Sequence, residues 1–570
     1  MLAPIISILL LPVCALAMSL RVGAPHLFLD LDGIASAANL TTALGSITKD
    51  YGAPVVAGED PWDAFMAGYS SLLLVPVAGV PTYYLYYCCA ALPGANSSQA
   101  GNYVCLATTT DGRAWVKPAL TAFPWGADAR PTNRVFYAGG GDNFMGNAFL
   151  DTAPGVPAAE RFKLLYSAPD PSGSYGGVYL AASADGLLFR AVASPSIPLP
   201  VHFGDTQPAM LWDAARGRYA AFGRGDAPLP NSTTGCRGGN PAIRKVLGAF
   251  STSGAGGGFG PAGVLLSYGA PDQTDCLDVY NSSPLPVADD SGSSALLFLP
   301  SSYRHFAQEG AWGNSSNDGV LDVRLAVSRD GGATAAFVSR EALIPRGMGL
   351  LAAPGAFTGD PDAGCVYATS GGLLDPDLLA PPPPLPLPRS GTLRQPPLLP
   401  YSVPSPRVSL LFYGTQRTHA PIWSPSTDPG ANGIFQGSLR REGFAGLRTP
   451  TGDPAGAGAF TTVPLLVPQP AAVCGSASAQ LWLLLNVQTS VAGGATVALL
   501  APGSLTPLPG RGPAEALPFF GDSVRTPAAW APGAAGGDPV RDLAPFAGTQ
   551  VVLSVSLVHA HLFAWELQCV

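Results

Sequence analysis

The sequence predicts an all-β protein, a five-bladed β-propeller followed by a C-terminal β-sandwich. Three observations predict it. Gly and Pro are abundant while charged residues are scarce, an Asp-Gly turn recurs at intervals of about 73 residues through the middle of the chain, and the turn stops recurring after about residue 448.

Of 570 residues, 69 are Gly and 59 are Pro, and only 12% are charged. Average proteins carry roughly 12% Gly plus Pro and about 25% charged residues. Gly and Pro are the poorest helix formers, so long helices are disfavoured. Wholesale disorder is disfavoured too, because 47% of residues are hydrophobic and the net charge is only −8. The mild acidic balance argues against nucleic acid as a partner, since phosphate binding needs a basic face.

The chain opens with an apolar run at residues 5–11, followed by Ala15-Leu16-Ala17. This reads as a signal peptide over residues 1–17, too short to span a bilayer, and predicts a secreted or extracellular protein with no membrane span. Removing it leaves eight cysteines, at 88, 89, 105, 236, 276, 365, 474 and 569. An even number in an oxidising compartment predicts disulfides. Five N-x-S/T sequons begin at Asn39, Asn96, Asn231, Asn281 and Asn314, all in polar, turn-like stretches where a glycan is acceptable. Residues 18–66 are expected to be a lead-in packed on the propeller.

The propeller is expected over residues 67–447. Its turn signature is Thr109-Thr110-Asp111-Gly112, then Ser183-Ala184-Asp185-Gly186, then Ser328-Arg329-Asp330-Gly331. Asp111 and Asp185 are 74 residues apart, and Asp185 and Asp330 are 145 apart, close to twice that. A degenerate copy is therefore expected near residue 257, where Ser251-Thr252-Ser253-Gly254 sits. Asp caps such a turn and Gly accepts its positive φ. Aromatic, β-branched runs precede the turns, at 82–87, 161–167, 218–224, 295–300 and 408–413. Each unit reads as four strands, and counting the runs gives five blades. The last blade is interrupted by a Pro-rich insertion at 375–406, an extended surface loop. From residue 448 to 570, apolar strands at 481–487, 495–500, 551–557 and 562–567 predict the sandwich, with Cys474 and Cys569 placed to staple its ends.

Several of these segments together resemble a known superfamily: Leu27-Phe28-Leu29-Asp30, the S-x-D-G turns, Asp205-Thr206 ahead of Leu211-Trp212-Asp213, Asp278-Val279-Tyr280, and Asp318 to Ala326. They resemble the five-bladed propellers of the glycoside hydrolase family 32 and 43 group, which includes invertases, levansucrases and arabinanases, and in particular a secreted branch with a C-terminal sandwich. The resemblance implies a carbohydrate substrate and carboxylates at the channel mouth. One acid protonates the leaving oxygen and a second carboxylate attacks or activates water, chemistry that needs neither cofactor nor metal. The chain lacks W-x-N-D-P-N-G, Arg-Asp-Pro and Glu-Cys, so candidate residues follow from position.

Asp205 and Asp278 precede innermost strands and are the expected acid and base or nucleophile, with Asp151 assisting. Each also fits a turn or strand cap. Asp322, Arg324, His305 and His419 are expected to bind substrate, although Asp322 and Arg324 also fit a structural ion pair. His559 and His561 lack a third ligand, so no metal site is expected. The alternative reading is a non-catalytic propeller that binds glycans or protein.

Overall fold

The computed structural model describes residues 18–91, 101–137, 145–169, 175–192, 207–228, 242–269, 276–287, 295–306, 318–353, 355–379, 405–419, 432–450, 456–533 and 537–570. The expected leader, Asp205, three sequons (Asn96, Asn231 and Asn314) and most of the Pro-rich insertion lie outside these residues. The chain divides into two compact units. One holds Ala43–Leu398 with Pro404–Ala445, and the other holds the flanking N- and C-terminal segments. The protein is nearly all β. The longest helix among the described residues is the single turn Pro470–Val473, and none is long and apolar enough to cross a membrane.

The larger unit has a propeller-like arrangement with four four-stranded antiparallel sheets. The first runs Met66–Val77, Val80–Ala90, Asn102–Thr109, Arg134–Phe136, and the second Met145–Leu150, Phe162–Pro169, Tyr175–Ser183, Arg190–Ala191. The third runs Ala209–Asp213, Arg218–Pro228, Ala242–Ser251, Gly263–Leu266, and the fourth Pro284–Val287, Ala295–Phe298, Ala326–Ser328, Ala336–Phe337. Four of the five aromatic runs supply the second strands of these sheets, and the fifth, at 408–413, lies in the strand Arg407–Thr415. Val80–Ala90 is buried from Thr82 onward because a sheet covered on both faces selects continuous apolar runs rather than alternation.

The recurring turns join third to fourth strands. Asp330 Oδ1 accepts from the Ser328 hydroxyl and from the backbone N–H groups of Ala333 and Thr334 at 2.8–2.9 Å. Asp111 and Asp185 do the same in their sheets. The glycines that follow have φ of +71°, +78° and +69°, a conformation costly for any residue with a Cβ. The degenerate copy is also a turn between third and fourth strands. With no Asp to accept, the Ser251 hydroxyl bonds Gly257 O instead.

Four such sheets stand where five blades are expected. The remaining strands form an eight-stranded sheet in the order Leu277–Val279, Ser301–His305, Gly319–Val323, Cys365–Ala368, Arg407–Thr415, Asn432–Arg440 and Ile47–Asp50, with Val56–Ala57 also paired to Asn432–Arg440. Ser283, at φ +37°, interrupts the ladder between Leu277–Val279 and Pro284–Val287, so one hairpin is divided between two sheets. A single parallel pairing, Leu321 with Cys365, then joins the divided half to the strands that follow.

Hydrogen bonds tie successive innermost segments together. Ala148 N–H donates to Ser71 Oγ (2.9 Å), Met210 N–H to Asn147 Oδ1 (2.8 Å), Asn281 to the Gln207 side chain, Gly371 N–H to Pro284 O (2.9 Å), and Leu72 N–H to Ser370 O (2.9 Å). The series returns to the strand where it began. It also removes one expected glycan site. Asn281 is fully buried, and its carboxamide oxygen accepts from Ser301 N–H at 2.7 Å.

The smaller unit is built on two 20-residue strands, Leu481–Leu500 and Gln550–Cys569, paired along their length. The sequence reads each as two strands, but the pairing continues through two register shifts, one between Asn486 and Val487 and one between Thr489 and Gly494, where glycines allow a bulge. The Cys474–Cys569 disulfide forms as expected, and Cys89–Cys105 is a second. The lead-in is divided rather than uniform. Pro25–Leu27 pairs with Gln550–Cys569 and Ile34–Ala38 with Ala457–Thr462, whereas Ile47–Asp50 and Val56–Ala57 join the larger unit.

Candidate functional site

Asp278 stands in the short strand Leu277–Val279, opposite Tyr303, which in turn opposes Leu321. Directly opposed residues share a face and neighbours alternate, so Asp278, Tyr303 and His305 project to one side of the sheet. Asp278 is 1% exposed. His305 Nε2 lies 2.9 Å from its Oδ2, and a carboxylate only accepts, so Nε2 carries the hydrogen. Arg244, from the third strand of the third sheet, donates its backbone N–H to Oδ1 at 3.3 Å and holds its guanidinium 3.7 Å from Oδ2.

Tyrosines and a second histidine surround this cluster. His419 Nε2 is 2.9 Å from the Tyr280 hydroxyl, and the His419 N–H donates to Gly319 O at 3.0 Å. The Tyr303 ring lies 4.0 Å from the His305 ring and 4.7 Å from that of His419. The Arg224 and Arg244 guanidinium groups sit 5.4 and 5.6 Å from the Tyr280 ring centre, within cation–π range. Burial pushes the Tyr303 phenol well above its ordinary range, against the pull of Arg244, so it remains a hydroxyl donor at any working pH.

A second buried carboxylate belongs to the same neighbourhood. Asp318 accepts from the Thr418 hydroxyl at 2.9 Å and from Gly319 N–H at 2.8 Å, and Gly319 pairs with His305. The site therefore combines two fixed carboxylates, two imidazoles, phenolic hydroxyls and guanidinium groups. Such a set can orient a polyol and hold a carboxylate against it.

Three of the sequence candidates, Asp278, His305 and His419, are brought together. Asp151 is not with them. It follows the innermost strand Met145–Leu150, and both its carboxylate oxygens accept from the Tyr219 hydroxyl at 3.0 Å. Asn147 and Asn281 sit at the level of the hydrogen-bonded ring. Asp151 lies four residues beyond that level and Asp278 three before it. Asp322 opposes Ser302 and therefore faces away from Asp278, and its Oδ1 pairs with Arg324 Nε at 3.0 Å. Trp62 is buried and its indole N–H donates to Asn133 Oδ1 at 2.8 Å.

Sequence reasoning missed Arg244, Tyr280, Asp318 and Thr418. Tyr280 carries a signal, since it lies two residues after Asp278 and alternation returns it to the same face. Asp318 opens one of the segments that carry the resemblance, and Thr418 directly precedes His419. Arg244 carries none, because its contact with Asp278 joins different sheets.

No protein-family model and no curated protein matches this chain. Among solved structures, a beta-fructofuranosidase of glycoside hydrolase family 32 from Bombyx mori is similar at 11% identity and a TM-score of 0.37, covering 90% of this chain and 93% of its own. The catalytic domain of an alpha-L-arabinofuranosidase of family 62 from Coprinopsis cinerea is similar at 12% identity and a TM-score of 0.36, covering 70% and 97%. An N-acetylgalactosamine deacetylase from F. plautii, solved with blood group B trisaccharide, is similar at 13% identity and a TM-score of 0.37, covering 71% and 96%.

Proposed function

We infer that this chain is a secreted carbohydrate-active protein, a glycoside hydrolase whose site surrounds Asp278 in the propeller-like unit. The observation that carries the reading is the buried cluster of Asp278, His305 and Arg244, bordered by Tyr280, His419 and Asp318. A fixed carboxylate beside hydroxyl and imidazole groups is what glycoside cleavage needs on one side of the scissile bond. Asp205 is the proposed second carboxylate, and Asp318, buried beside Gly319 and Thr418, is the alternative among the described residues. Neither role requires a metal or cofactor.

Five blades remain our reading of the larger unit. The hydrogen-bonded series supports it by passing through five innermost segments before closing. A divided fourth hairpin accounts for the composite eight-stranded sheet. The long paired strands of the smaller unit support a sandwich, and the leader and two disulfides support secretion.

The test is the purified full chain against fructans, arabinans and aryl glycosides. Turnover is expected with at least one class, and Asp278→Asn and Asp205→Asn should each reduce it at least about a hundredfold. Turnover that survives both substitutions overturns these roles. One observation favours the binding reading: Asp278 and Asp318 already accept hydrogen bonds from protein groups. Saturable glycan binding without turnover across the panel decides for it.

A further inference from the structure

On the face of the same sheet opposite Asp278 lies a separate cavity of about 470 Å³. Its wall includes Tyr268, Arg304, Arg324, Phe337, Ser339 and Arg340. Arg304 opposes Leu277 in the ladder, and Asp278 is next along the strand, which places the two sites back to back. Among the described residues the guanidinium groups of Arg304, Arg324 and Arg340 border the cavity, that of Arg324 paired through Nε with the Asp322 carboxylate, in a protein whose net charge is −8. Concave surfaces lined by one sign of charge concentrate the opposite sign. The Tyr268 and Phe337 rings stack 4.9 Å apart with planes 2° from parallel, and the Tyr268 hydroxyl is anchored on Ser302 at 2.8 Å. The cavity thus offers fork-shaped donors suited to a carboxylate beside a fixed flat apolar wall and a Ser339 hydroxyl.

We propose that this cavity binds an acidic sugar residue, a uronic acid, with its carboxylate held by Arg304, Arg324 and Arg340 and its ring against the Tyr268–Phe337 wall. The volume accommodates a ligand of monosaccharide size. The proposal does not depend on catalysis at Asp278, and binding alone tests it.

The full chain is titrated with methyl glucuronide, methyl glucoside and sodium sulfate, with binding followed by calorimetry and saturation-transfer NMR. Methyl glucuronide should bind saturably and outcompete sulfate, and methyl glucoside should bind at least about tenfold more weakly, the loss of one charged hydrogen-bonding partner. Arg304 and Arg340 are exposed, so Arg304→Ala/Arg340→Ala should fold normally and weaken glucuronide binding at least tenfold. Absence of glucuronide binding, equal binding of the neutral glucoside, or binding that survives the double substitution overturns the proposal. Sulfate binding as tight as glucuronide overturns the sugar-ring assignment. Arg304→Lys keeps the charge without the fork and should recover only part of the affinity, whereas full recovery overturns recognition by guanidinium geometry.

Discussion

Replacing Asp278 by Asn tests whether the buried cluster is held by charge. At an effective dielectric of about 20, unit charges at the 3.7 Å separation of Asp278 and Arg244 attract by about 4.5 kcal/mol. Burial has already cost both groups their hydration, so the net worth of the pair is smaller. Removing the anion withdraws the Asp278 charge from the buried Arg244, and breaking one partner of a buried pair costs about 3–5 kcal/mol. Asn retains an acceptor for His305, which places the expected loss near the lower end, about 3 kcal/mol. Equilibrium urea unfolding of the purified variant measures it. Asp60→Asn is the matched control, because the Asp60 side chain is 32% exposed and Lys117 keeps Asp63 as a partner, and such exposed pairs are worth about 0–1 kcal/mol. If Asp278→Asn costs no more than Asp60→Asn, the claim that Asp278 and Arg244 form a buried charge pair is wrong.

Other substitutions probe the frame around the site. A Cβ on Gly186 would lie 2.3 Å from the Tyr86 hydroxyl oxygen and 3.0 Å from the Phe162 ring at φ +78°. Gly186→Ala should therefore cost about 3 kcal/mol, combining left-handed strain of about 1–2 with overpacking of about 1–3. Gly217→Ala, at φ +60° with open space around it, should cost only the strain, and equal losses in urea unfolding would refute the packing argument. The Asp111 carboxyl is held below its ordinary range by the N–H groups of Arg113 and Ala114. Burial would raise that of Asp330, but the Thr334, Ser328 and Ala333 donors outweigh it. Both depressed groups contribute stability that is present above about pH 4 and lost as pH falls through their folded values. Asp330→Asn should accordingly flatten the acid limb of stability against pH, and an unchanged limb contradicts the assignment. Cys474→Ser opens a cross-link spanning 95 residues and Cys89→Ser one spanning 16. Chain entropy values these at about 4.7 and 3.1 kcal/mol, so the first should unfold at lower urea.

Much of the fold was legible because it is local. Thr109 to Ala114 and Ser328 to Thr334 close their turns within six residues, and a sequence displays such turns directly. Buried second strands such as Val80–Ala90 were legible as continuous apolar runs. Pairings distant in sequence were not. Nothing in Pro25-His26-Leu27 announces a partner at Ala564 to Glu566, so the lead-in was assigned to the nearer unit. Asp278, His305 and His419 were legible from their places at strand ends, whereas Arg244 reached the site only through the packing of one sheet on another. The Asn281 sequon misled because a motif of three residues carries no information about burial.

The division of the first strands between two units bears on how the chain is made. Pro25–Leu27 finds its partner in Gln550–Cys569, and Ile47–Asp50 finds its own in Asn432–Arg440. Synthesis proceeds from the N-terminus, so both early segments must wait, unpaired, while several hundred residues emerge. The intervening hairpins can form during that time, because each is local. Closure of both units is therefore a late event of high contact order, and slow closure leaves strand edges exposed. Ile34–Ala38 leaves four of its five residues open to solvent, all of them Ala or Ser, so its side chains bury little and its place depends on the backbone pairing with Ala457–Thr462 that only the late chain supplies.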